Sequence, residues 1–328
     1  MGLKPQLYKL MLLLSDEDVR GHIDMATAIQ QMRNAFEEQA AGTFIGPARE
    51  SLEGPIGKLV FAKGGAVGRP PVGKKDVHAN ILGTRIYPIF RGGTVADDDQ
   101  MVIVYNADTG KLKGIVTGRY IASLRTGAIN GLAADLMARK DAKVLGLIGA
   151  GYQARTQVKA IMAVRNIEKI IVYSRTKSRA RALEQYLERR FDASVHIEDD
   201  AEDVAEDADI LITATNSKYP VFEAEDLKKG VHINAIGPKF EDAHELPKEI
   251  RPRLDLIVTD SLAQMRGYDR PYFLGDRVGL IGLEKLVVGS HPGRRSADEI
   301  TLFSSTGLAG TEVVLANYLL EKFSKADT

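Results

Sequence analysis

The spacing of apolar residues divides the first third of the 328-residue chain into two patterns. Residues 16–40 carry apolar side chains at helical spacing, from Ile23 to Phe36, and predict one amphipathic helix. Ser15 followed by the acidic run Asp16–Asp18 is typical of a helix N-terminus. Residues 43–115 instead contain β-rich runs between Gly, Pro and Asp turns, and this pattern predicts an antiparallel sheet. The runs and turns are Lys58–Ala62, Ile81–Phe90, Met101–Tyr105, Arg91-Gly92-Gly93 and Asp108-Thr109-Gly110. The Gly- and Pro-rich stretch Gly64–Lys75 predicts a loop or a divergent insertion.

From Val144 onward, apolar strands alternate with helical segments. The alternation predicts a parallel sheet covered by helices on both faces. The predicted strands are Val144–Ile148, Lys169–Tyr173, Val195–Ile197, Ile210–Ala214, Val231–Ile236 and Leu256–Thr259, and the predicted helices are Ala154–Val164 and Ser178–Arg190. The apolar tail Leu302–Phe323 predicts a further helix.

Composition narrows the classes of protein to which the chain can belong. Lys+Arg and Asp+Glu are equal at 44 each, so the charge balance predicts no nucleic-acid partner and no membrane partner. The absence of cysteine excludes disulfides and thiolate catalysis, and the six His show no close pair at ligand spacing, so we expect no metal site. Leu12-Leu13-Leu14 is too short for a signal segment or a membrane span, and we expect a cytoplasmic protein.

The segment Gly149-Ala150-Gly151-Tyr152-Gln153-Ala154 follows a predicted strand and opens a predicted helix. In such a segment the first glycine permits a tight turn, the second lets the backbone approach a pyrophosphate, and a small third residue lets helix and strand pack closely. The N-terminus of the helix supplies N–H groups and a positive dipole end for phosphates. The sequence therefore predicts a dinucleotide site at Gly149 and Gly151. The alternative is a structural strand–turn–helix without a ligand.

The residues after the second strand of this unit bear on the type of cofactor. An acidic residue there would accept hydrogen bonds from the ribose of NAD, but the chain has Ser174-Arg175-Thr176-Lys177-Ser178. Arg175 is suited to a 2′-phosphate, because a guanidinium forms two parallel hydrogen bonds with it. We therefore predict NADP(H), with NAD(H) as the other possibility. A solvated basic helix start is the alternative interpretation of these residues.

Three arginines are candidates for binding an anionic substrate. Arg125 precedes the nucleotide-binding segment, and the small residues Thr126-Gly127-Ala128 after it would permit close approach of ligands. Arg49 and Arg85 lie in the predicted antiparallel sheet region, where an unpaired charge in the apolar run around Arg85 would be costly. A guanidinium suits a carboxylate, although each arginine also fits a structural ion pair.

At this point the sequence resembles the ornithine cyclodeaminase/mu-crystallin family. The resemblance rests on stretches that occur in family order from about residue 115 to the C-terminus, whereas the first 110 residues match loosely. These stretches are Arg125–Ala128, Gly149–Ala154, Ala214-Thr215-Asn216, His232–Gly237, Glu245-Leu246, and Phe303–Ala309 with Glu312.

The resemblance implies an enzyme that uses a nicotinamide to move hydride at the α-carbon of an amino or imino acid. It makes Arg125, with Arg49 as a second contact, similar to the arginines that bind the substrate carboxylate. It further implies a homodimer whose first domain, completed by the C-terminal helix, carries substrate binding and dimerisation. The cofactor contacts that it implies are Tyr152 and Gln153 at the pyrophosphate, Thr215, Ile236, Gly237 and Ser305, beside Ser174, Arg175 and Thr176 from the charge argument.

Two departures from the family pattern bear on the reaction. Arg85 stands where the family usually has lysine, and Lys239 stands where cyclodeaminases have an aspartate that would hold the substrate amine. Arg85 cannot act as a base, and a cationic lysine cannot replace that carboxylate, so both fit a reductase that needs cations near an imino acid. Lys239 or a water would protonate the product nitrogen; the alternative for Lys239 is a solvated loop lysine. A cyclodeaminase-type lyase and a non-catalytic ligand-binding protein remain the competing hypotheses.

These observations together predict an α/β protein with two domains. Residues 126–294 are predicted to form a Rossmann-type, doubly wound parallel sheet that binds NAD(P). Residues 1–125 with 295–328 are predicted to form a smaller α+β domain for substrate binding and dimerisation.

Overall fold

Helices and strands account for most of the residues that the structure, a computed structural model, describes: 11–68, 80–90, 99–275 and 279–326. In these ranges the α-helices are α1 (Asp16–His22), α2 (Met25–Ala40), α3 (Tyr120–Met137), α4 (Ala154–Val164), α5 (Lys177–Glu188), α6 (Ala201–Asp207), α7 (Leu262–Arg266), α8 (Leu283–Val287) and α9 (Thr311–Ala326). The strands are β1 (Leu12–Leu14), β2 (Phe44–Ile45), β3 (Glu50–Gly54), β4 (Gly57–Ala66), β5 (Ile81–Phe90), β6 (Met101–Asn106), β7 (Leu112–Thr117), β8 (Val144–Ile148), β9 (Lys169–Tyr173), β10 (Ser194–Ile197), β11 (Ile210–Thr213), β12 (His232–Ala235), β13 (Lys239–Phe240), β14 (Ala243–His244), β15 (Leu256–Thr259), β16 (Ile281–Gly282) and β17 (Thr301–Ser304). None of the described helices is long and apolar enough to cross a membrane.

The chain divides into two compact units. Unit 1 comprises Met1–Asp24, Ala41–Ala122 and Ala309–Thr328, and unit 2 comprises Met25–Ala40 and Ser123–Leu308. The predicted boundaries at 125/126 and 294/295 differ from this division at residues 25–40, 123–125 and 295–308. Helix α2 packs against α4 and α8 of unit 2, and residues 301–304 form a strand of the sheet in unit 2.

The predicted single helix over 16–40 is wrong, because the chain forms α1 and α2 with an extended residue, Ile23, between them (φ −140°, ψ 126°). Gly21 weakens the last turn of α1, since glycine is a poor helix former. The predicted N-terminus is confirmed: the Ser15 hydroxyl accepts a hydrogen bond from the Asp18 N–H, and the Asp18 carboxylate accepts one from the Ser15 N–H.

Unit 1 contains the predicted antiparallel sheet. Its strand order is β1-β7-β6-β5-β4-β2, with β3 paired to β4. Among the strands that the structure describes in this sheet, only β1 pairs in parallel. The predicted loop at Gly64–Lys75 is wrong at Gly64–Ala66, which extend β4, while its residues 69–75, like the turn Arg91-Gly92-Gly93, lie outside the described residues. Glycine is required at Gly64 because a Cβ there would lie 2.8 Å from the Gly310 Cα.

The two faces of this sheet differ. Helix α9 packs on one face, where Gly83 and Gly114 leave room for Val313 and Leu320. The opposite face carries apolar side chains that remain exposed, and among them Leu13, Leu82 and Tyr105 are 59%, 39% and 41% exposed. One apolar face of unit 1 is therefore covered by its own helix, and the other is presented to its surroundings.

Unit 2 is a doubly wound sheet with the order β10-β9-β8-β11-β12-β17-β15-β16 and parallel pairing throughout. Successive residues of its strands enter different apolar clusters: Ile148 belongs to one, and Leu145 and Leu147 belong to the other. Both faces are therefore buried, as the Rossmann-type prediction requires. The chain reverses direction across the sheet between β8 and β11, and at such a switch point dinucleotides bind at the carboxyl ends of the strands.

The prediction of a helix over Leu302–Phe323 is wrong in its first part. Thr301–Ser304 form β17, which lies between β12 and β15, and the helix begins only at Thr311. A short, fully buried apolar run has no period that separates strand from helix. Gly307 and Gly310, with φ of +83° and +89°, lie between the two elements.

Candidate functional site

The glycine-rich segment has the geometry of a phosphate-binding turn. Gly149 has φ of +110°, and its N–H donates to the Tyr173 carbonyl at 2.8 Å. A Cβ on Gly149 would lie 2.5 Å from the Ala214 carbonyl oxygen, whereas the nearest atom to a Cβ on Gly151 would be 4.0 Å away. Helix α4 begins at Ala154 without a side-chain cap, so its N-terminal N–H groups are suited to phosphate oxygens beside the open space at Gly151.

The two residues between this turn and α4 differ in their surroundings. The Tyr152 side chain is 40% exposed at the loop surface. The Gln153 amide oxygen accepts a hydrogen bond from the Ser123 hydroxyl at 3.1 Å, so this side chain joins the loop to α3.

The segment after β9 presents positive charge. Arg175 is exposed, and in the described part of the chain it forms no ion pair. The Ser174 hydroxyl accepts a hydrogen bond from the Thr176 N–H at 3.4 Å, and α5 follows directly. Lys177 pairs with Asp199 at 2.5 Å, so the cation that remains available at the end of β9 is Arg175.

Glu245 links the ends of β11 and β12. One carboxylate oxygen, Oε1, accepts from the Thr213 hydroxyl at 2.8 Å and from the Gly237 N–H at 2.6 Å. The other, Oε2, accepts from the N–H and the hydroxyl of Thr215 at 3.0 and 2.8 Å. Burial, at 1% exposure, raises the pKa of Glu245, and the four donated hydrogen bonds oppose that shift. Two predicted cofactor contacts, Thr215 and Gly237, are therefore held by one buried carboxylate.

A second buried carboxylate, Asp260, holds the loop after β17. It accepts from the N–H and hydroxyl of Thr306 at 2.7 and 2.6 Å and from the Gly307 N–H at 2.8 Å. The predicted cofactor contact Ser305 starts this loop; its N–H donates to the Ala235 carbonyl, and its hydroxyl accepts from the Asn130 side chain at 3.3 Å.

Lys239 is buried at 7% exposure, so the alternative of a solvated loop lysine is wrong. Its ammonium donates to the Gly237 carbonyl at 2.7 Å and to the Ile236 carbonyl at 3.4 Å. The cation thus lies directly beside the loop that Glu245 holds.

Arg125 lies inside α3 and is buried at 6% exposure. No element was predicted over residues 120–137, because their side chains are buried on almost every side and show no amphipathic period. Gly127 serves a different purpose from the one predicted: a Cβ there would lie 2.7 Å from the Thr156 carbonyl oxygen, so it lets α3 and α4 pack closely.

A chain of buried polar side chains runs from β12 to α3. The His232 ring lies 2.9 Å from the Thr301 hydroxyl and 3.1 Å from the Asn234 side-chain oxygen, and the Asn234 amide donates to the Asn130 carbonyl at 3.2 Å. Burial, with a smaller contribution from the positive charge of Arg294, lowers the pKa of His232 to about 3. The imidazole is therefore neutral at physiological pH.

The other two predicted arginines belong to unit 1. Arg85 is buried at 9% exposure; it donates to the Gln100 side-chain oxygen at 2.5 Å, lies 3.4 Å from the Glu312 carboxylate and stacks 3.9 Å above the Tyr87 ring. Arg49 is half-buried in the segment between β2 and β3. The charge of Arg85 in its apolar run is thus matched by a buried acid from α9.

Sequence reasoning missed the residues that hold the candidate cofactor loops. Glu245 carried only part of the family resemblance, and Asp260 and Asn130 carried no signal, because an acid or amide that will be buried looks like any polar residue in the sequence. No group of three or more His, Cys, Asp or Glu that could hold a metal occurs within the described residues.

Comparison with known proteins gives matches over almost the whole chain. A family model described as "Ornithine cyclodeaminase/mu-crystallin family" matches residues 9–327. The Delta(1)-pyrroline-2-carboxylate reductase of Bacillus thuringiensis subsp. konkukian (strain 97-27) is 32% identical over 321 residues, 95% of this chain and 96% of the relative. The structure of Thermococcus litoralis Delta(1)-pyrroline-2-carboxylate reductase in complex with NADH and L-proline has a TM-score of 0.83 at 29% identity, covering 97% of this chain and 99% of its own. An archaeal alanine dehydrogenase dimer with bound NAD has a TM-score of 0.84 at 28% identity, covering 97% of each chain.

Proposed function

The chain belongs to the ornithine cyclodeaminase/mu-crystallin family, and from that premise we propose that it is an NAD(P)H-dependent reductase of a small imino acid. The substrate class is a cyclic ketimine carboxylate or a related imino acid, reduced at its α-carbon. The observation that carries the proposal is the buried Lys239, whose ammonium lies 2.7 Å from the Gly237 carbonyl. A cation at this position cannot hold and deprotonate a substrate amine as the aspartate of a cyclodeaminase would. The relatives named as Delta(1)-pyrroline-2-carboxylate reductases support the same reaction class.

The residues of unit 2 fit a dinucleotide. The turn at Gly149 and Gly151, with the N-terminus of α4, binds the pyrophosphate, because its backbone is open to close approach and its N–H groups favour anions. The bound nicotinamide supplies the hydride. Thr215 and Ser305 orient that half of the cofactor from the loops after β11 and β17.

The substrate is held through its carboxylate. Arg125 and Arg49 bind it with charge-assisted hydrogen bonds, which fix the α-carbon for hydride transfer. The positive charge of Arg85, with that of Lys239, offsets the negative charge of the acid. The substrate nitrogen gains a proton from Lys239 or from a water as the α-carbon gains hydride, so the imine becomes an amine and the cofactor is oxidised.

The preferred cofactor in this proposal is NADP(H). The two solved relatives contain NADH and NAD. In this chain the residues after β9 offer the exposed Arg175 and no carboxylate at the position of a ribose contact. A guanidinium there favours the 2′-phosphate of NADP(H), and the lack of an acid removes the usual contact with NAD(H).

We propose that the protein is a homodimer located in the cytoplasm, where NAD(P)H is available as reductant. The uncovered face of the sheet in unit 1, with Leu13, Leu82 and Tyr105 exposed, supports a two-fold interface between identical faces. One solved relative, the archaeal alanine dehydrogenase, is itself described as a dimer.

The proposed function is tested by an NADPH- and NADH-oxidation screen. Purified protein is supplied with five- and six-membered cyclic imino acids, and with 2-oxo acids plus ammonia or methylamine. We expect oxidation of NADPH with a cyclic imino acid and formation of the corresponding cyclic amino acid. Release of ammonia from ornithine without net change of cofactor would instead establish a lyase, and ligand binding with neither reaction would establish a binding protein.

A further inference from the structure

We propose that Glu245 is a positioning residue that sets the nicotinamide side of the cofactor site by tying the loop after β11 to the loop after β12. The inference rests on the proposed function, since it concerns the same cofactor. Glu245 is 1% exposed and lies on neither loop, yet its two oxygens receive hydrogen bonds from both.

The geometry requires a carboxylate. Each oxygen faces a backbone N–H, of Gly237 at Oε1 and of Thr215 at Oε2, and a backbone N–H can only donate. An amide in this place would direct its own NH2 group at one of these two donors. The side chain therefore fixes the separation of Thr215 and Gly237 through two acceptors that no neutral isostere provides.

The bond to Glu245 also decides what Thr215 offers to a ligand. Its hydroxyl proton is directed at Glu245 Oε2, at 2.8 Å, and one of its lone pairs receives the Ser217 N–H at 3.0 Å. The hydroxyl can then only accept a further hydrogen bond. A ribose hydroxyl or the carboxamide NH2 of a nicotinamide can donate such a bond, whereas a phosphate oxygen cannot. Thr215 is thus fitted to the nicotinamide-riboside half of the dinucleotide.

The order of the strands also favours a position of the nicotinamide-riboside half beside Thr215. The pyrophosphate turn follows β8, the ribose-binding residues follow β9 on one side of it, and β11 and β12 follow in turn on the other side. A dinucleotide lying across the carboxyl ends therefore has its adenosine over β9 and its nicotinamide over β11 and β12.

Glu245 is also connected to Lys239 through a single residue, Gly237. The N–H of Gly237 donates to Glu245, and the carbonyl of Gly237 accepts from the Lys239 ammonium at 2.7 Å. A Cβ on Gly237 would lie 2.5 Å from the Glu245 Cδ and 2.5 Å from the Thr215 carbonyl oxygen, so the two loops touch at this glycine. Movement of Glu245 would displace the cofactor contact and the proposed proton donor together.

The test measures cofactor binding without substrate, by titrating the full-length protein against NADPH and NADH fluorescence. Glu245→Gln should raise the Kd for the tighter-bound cofactor by at least about tenfold, the loss of one charge-assisted hydrogen bond. The Kd for 2′-phospho-ADP or ADP, which lack the whole nicotinamide riboside, should stay within about twofold, since neither ligand carries the groups that Thr215 would contact. A merely structural role of Glu245 would weaken the binding of the ligands with and without the nicotinamide riboside to the same extent.

Asp209→Asn is the matched control. Asp209 is also buried, at 7% exposure, and accepts from the N–H groups of Lys143 and Val144 at 2.8 and 2.9 Å, but at the amino ends of β8 and β11. The Asp209→Asn substitution should lower Tm while leaving the Kd values of all four ligands unchanged.

An unchanged Kd for NADPH and NADH in Glu245→Gln, or an equal loss for the ligands without the nicotinamide riboside, would overturn the proposal. If that variant does not fold, Thr213→Val removes one hydrogen bond to Glu245 and should raise the cofactor Kd about threefold; an unchanged Kd there would also overturn it. An unmodified protein that binds cofactor but reduces no imino acid refutes the proposed function and leaves this inference standing. An unmodified protein that binds neither cofactor refutes both.

Discussion

Replacing Arg85 separates its structural contribution from its proposed role in catalysis. Its guanidinium and the Glu312 carboxylate have side chains 10% and 0% exposed and lie 3.4 Å apart. At an effective dielectric constant of about 20, that distance corresponds to an attraction of about 5 kcal/mol. Breaking a buried pair from one side typically costs about 3–5 kcal/mol, so the two estimates agree. We expect Arg85→Met to lower Tm by roughly 10 °C.

The assay combines thermal unfolding with steady-state kinetics on the same preparations. Arg85→Met with Glu312→Leu removes both charges and should recover most of the lost Tm, because a buried ion pair replaced by apolar side chains is often neutral for stability. The value of kcat/KM should remain at least about tenfold low in both variants, since the cation near the substrate is still missing.

The partly exposed pair Lys113–Glu321 provides a control. It also joins the sheet of unit 1 to α9, at 2.8 Å, but its side chains are 21% and 41% exposed. Lys113→Met should therefore cost no more than about 1 kcal/mol and leave kcat/KM unchanged. Recovery of kcat/KM together with Tm in the double variant would show that Arg85 only holds α9 on the sheet. An unchanged Tm in Arg85→Met would refute the electrostatic reasoning itself.

Four further predictions concern the substrate, the cofactor, pH and assembly. Arg125→Ala should lower kcat/KM by at least about tenfold with little change in cofactor Kd, and lysine should rescue it poorly; a variant with lower Tm and normal kcat/KM would remove Arg125 from the site. Arg175→Asp should shift preference toward NADH in competitive kinetics, and tighter binding of NADH than NADPH by the unmodified protein would contradict the assignment. The pKa of His232 is about 3 in the folded protein and 6.5 in the unfolded chain, so the unfolded chain binds a proton more readily between these values and the free energy of unfolding falls as pH decreases below 6.5. The loss is about 1.4 kcal/mol per pH unit, and His232→Gln should flatten the decline of Tm between pH 7 and about pH 5; parallel curves for the two proteins would refute this origin. Leu82→Lys should halve the mass measured by light scattering, and a monomeric unmodified protein would contradict the dimer.

The sequence predicted the elements whose local pattern and burial agree. Strand β8, the glycine turn and α4 were predicted because an apolar run, two glycines and an amphipathic helix follow one another. Helix α3 was missed because it is buried on almost every side, and β17 was taken for helix because four apolar or small residues have no measurable period. In each case tertiary burial, not local propensity, determines the element.

In the candidate site, too, some residues can be predicted from the local sequence and others cannot. Gly149 and Gly151 can be found by spacing, because the tight turn requires glycine at Gly149, and the open space at Gly151 suits close approach of a phosphate. Glu245 and Asp260 act by reaching loops distant in sequence, such as Thr306 and Gly307 for Asp260. Their partners depend on which strands become neighbours in the sheet, so the sequence alone does not reveal them.

The sheet of unit 1 and the helix that covers it are synthesised far apart in time. Strands β1 to β7 end at Thr117, whereas α9 starts at Thr311, after all of the segment 123–308 that belongs to unit 2. Unit 2 can therefore fold on the ribosome while the sheet still lacks the side chains of Val313 and Leu320 that pack on it. During that interval both faces of the sheet are apolar and open, so nascent chains of this protein should be most prone to aggregation just before α9 emerges.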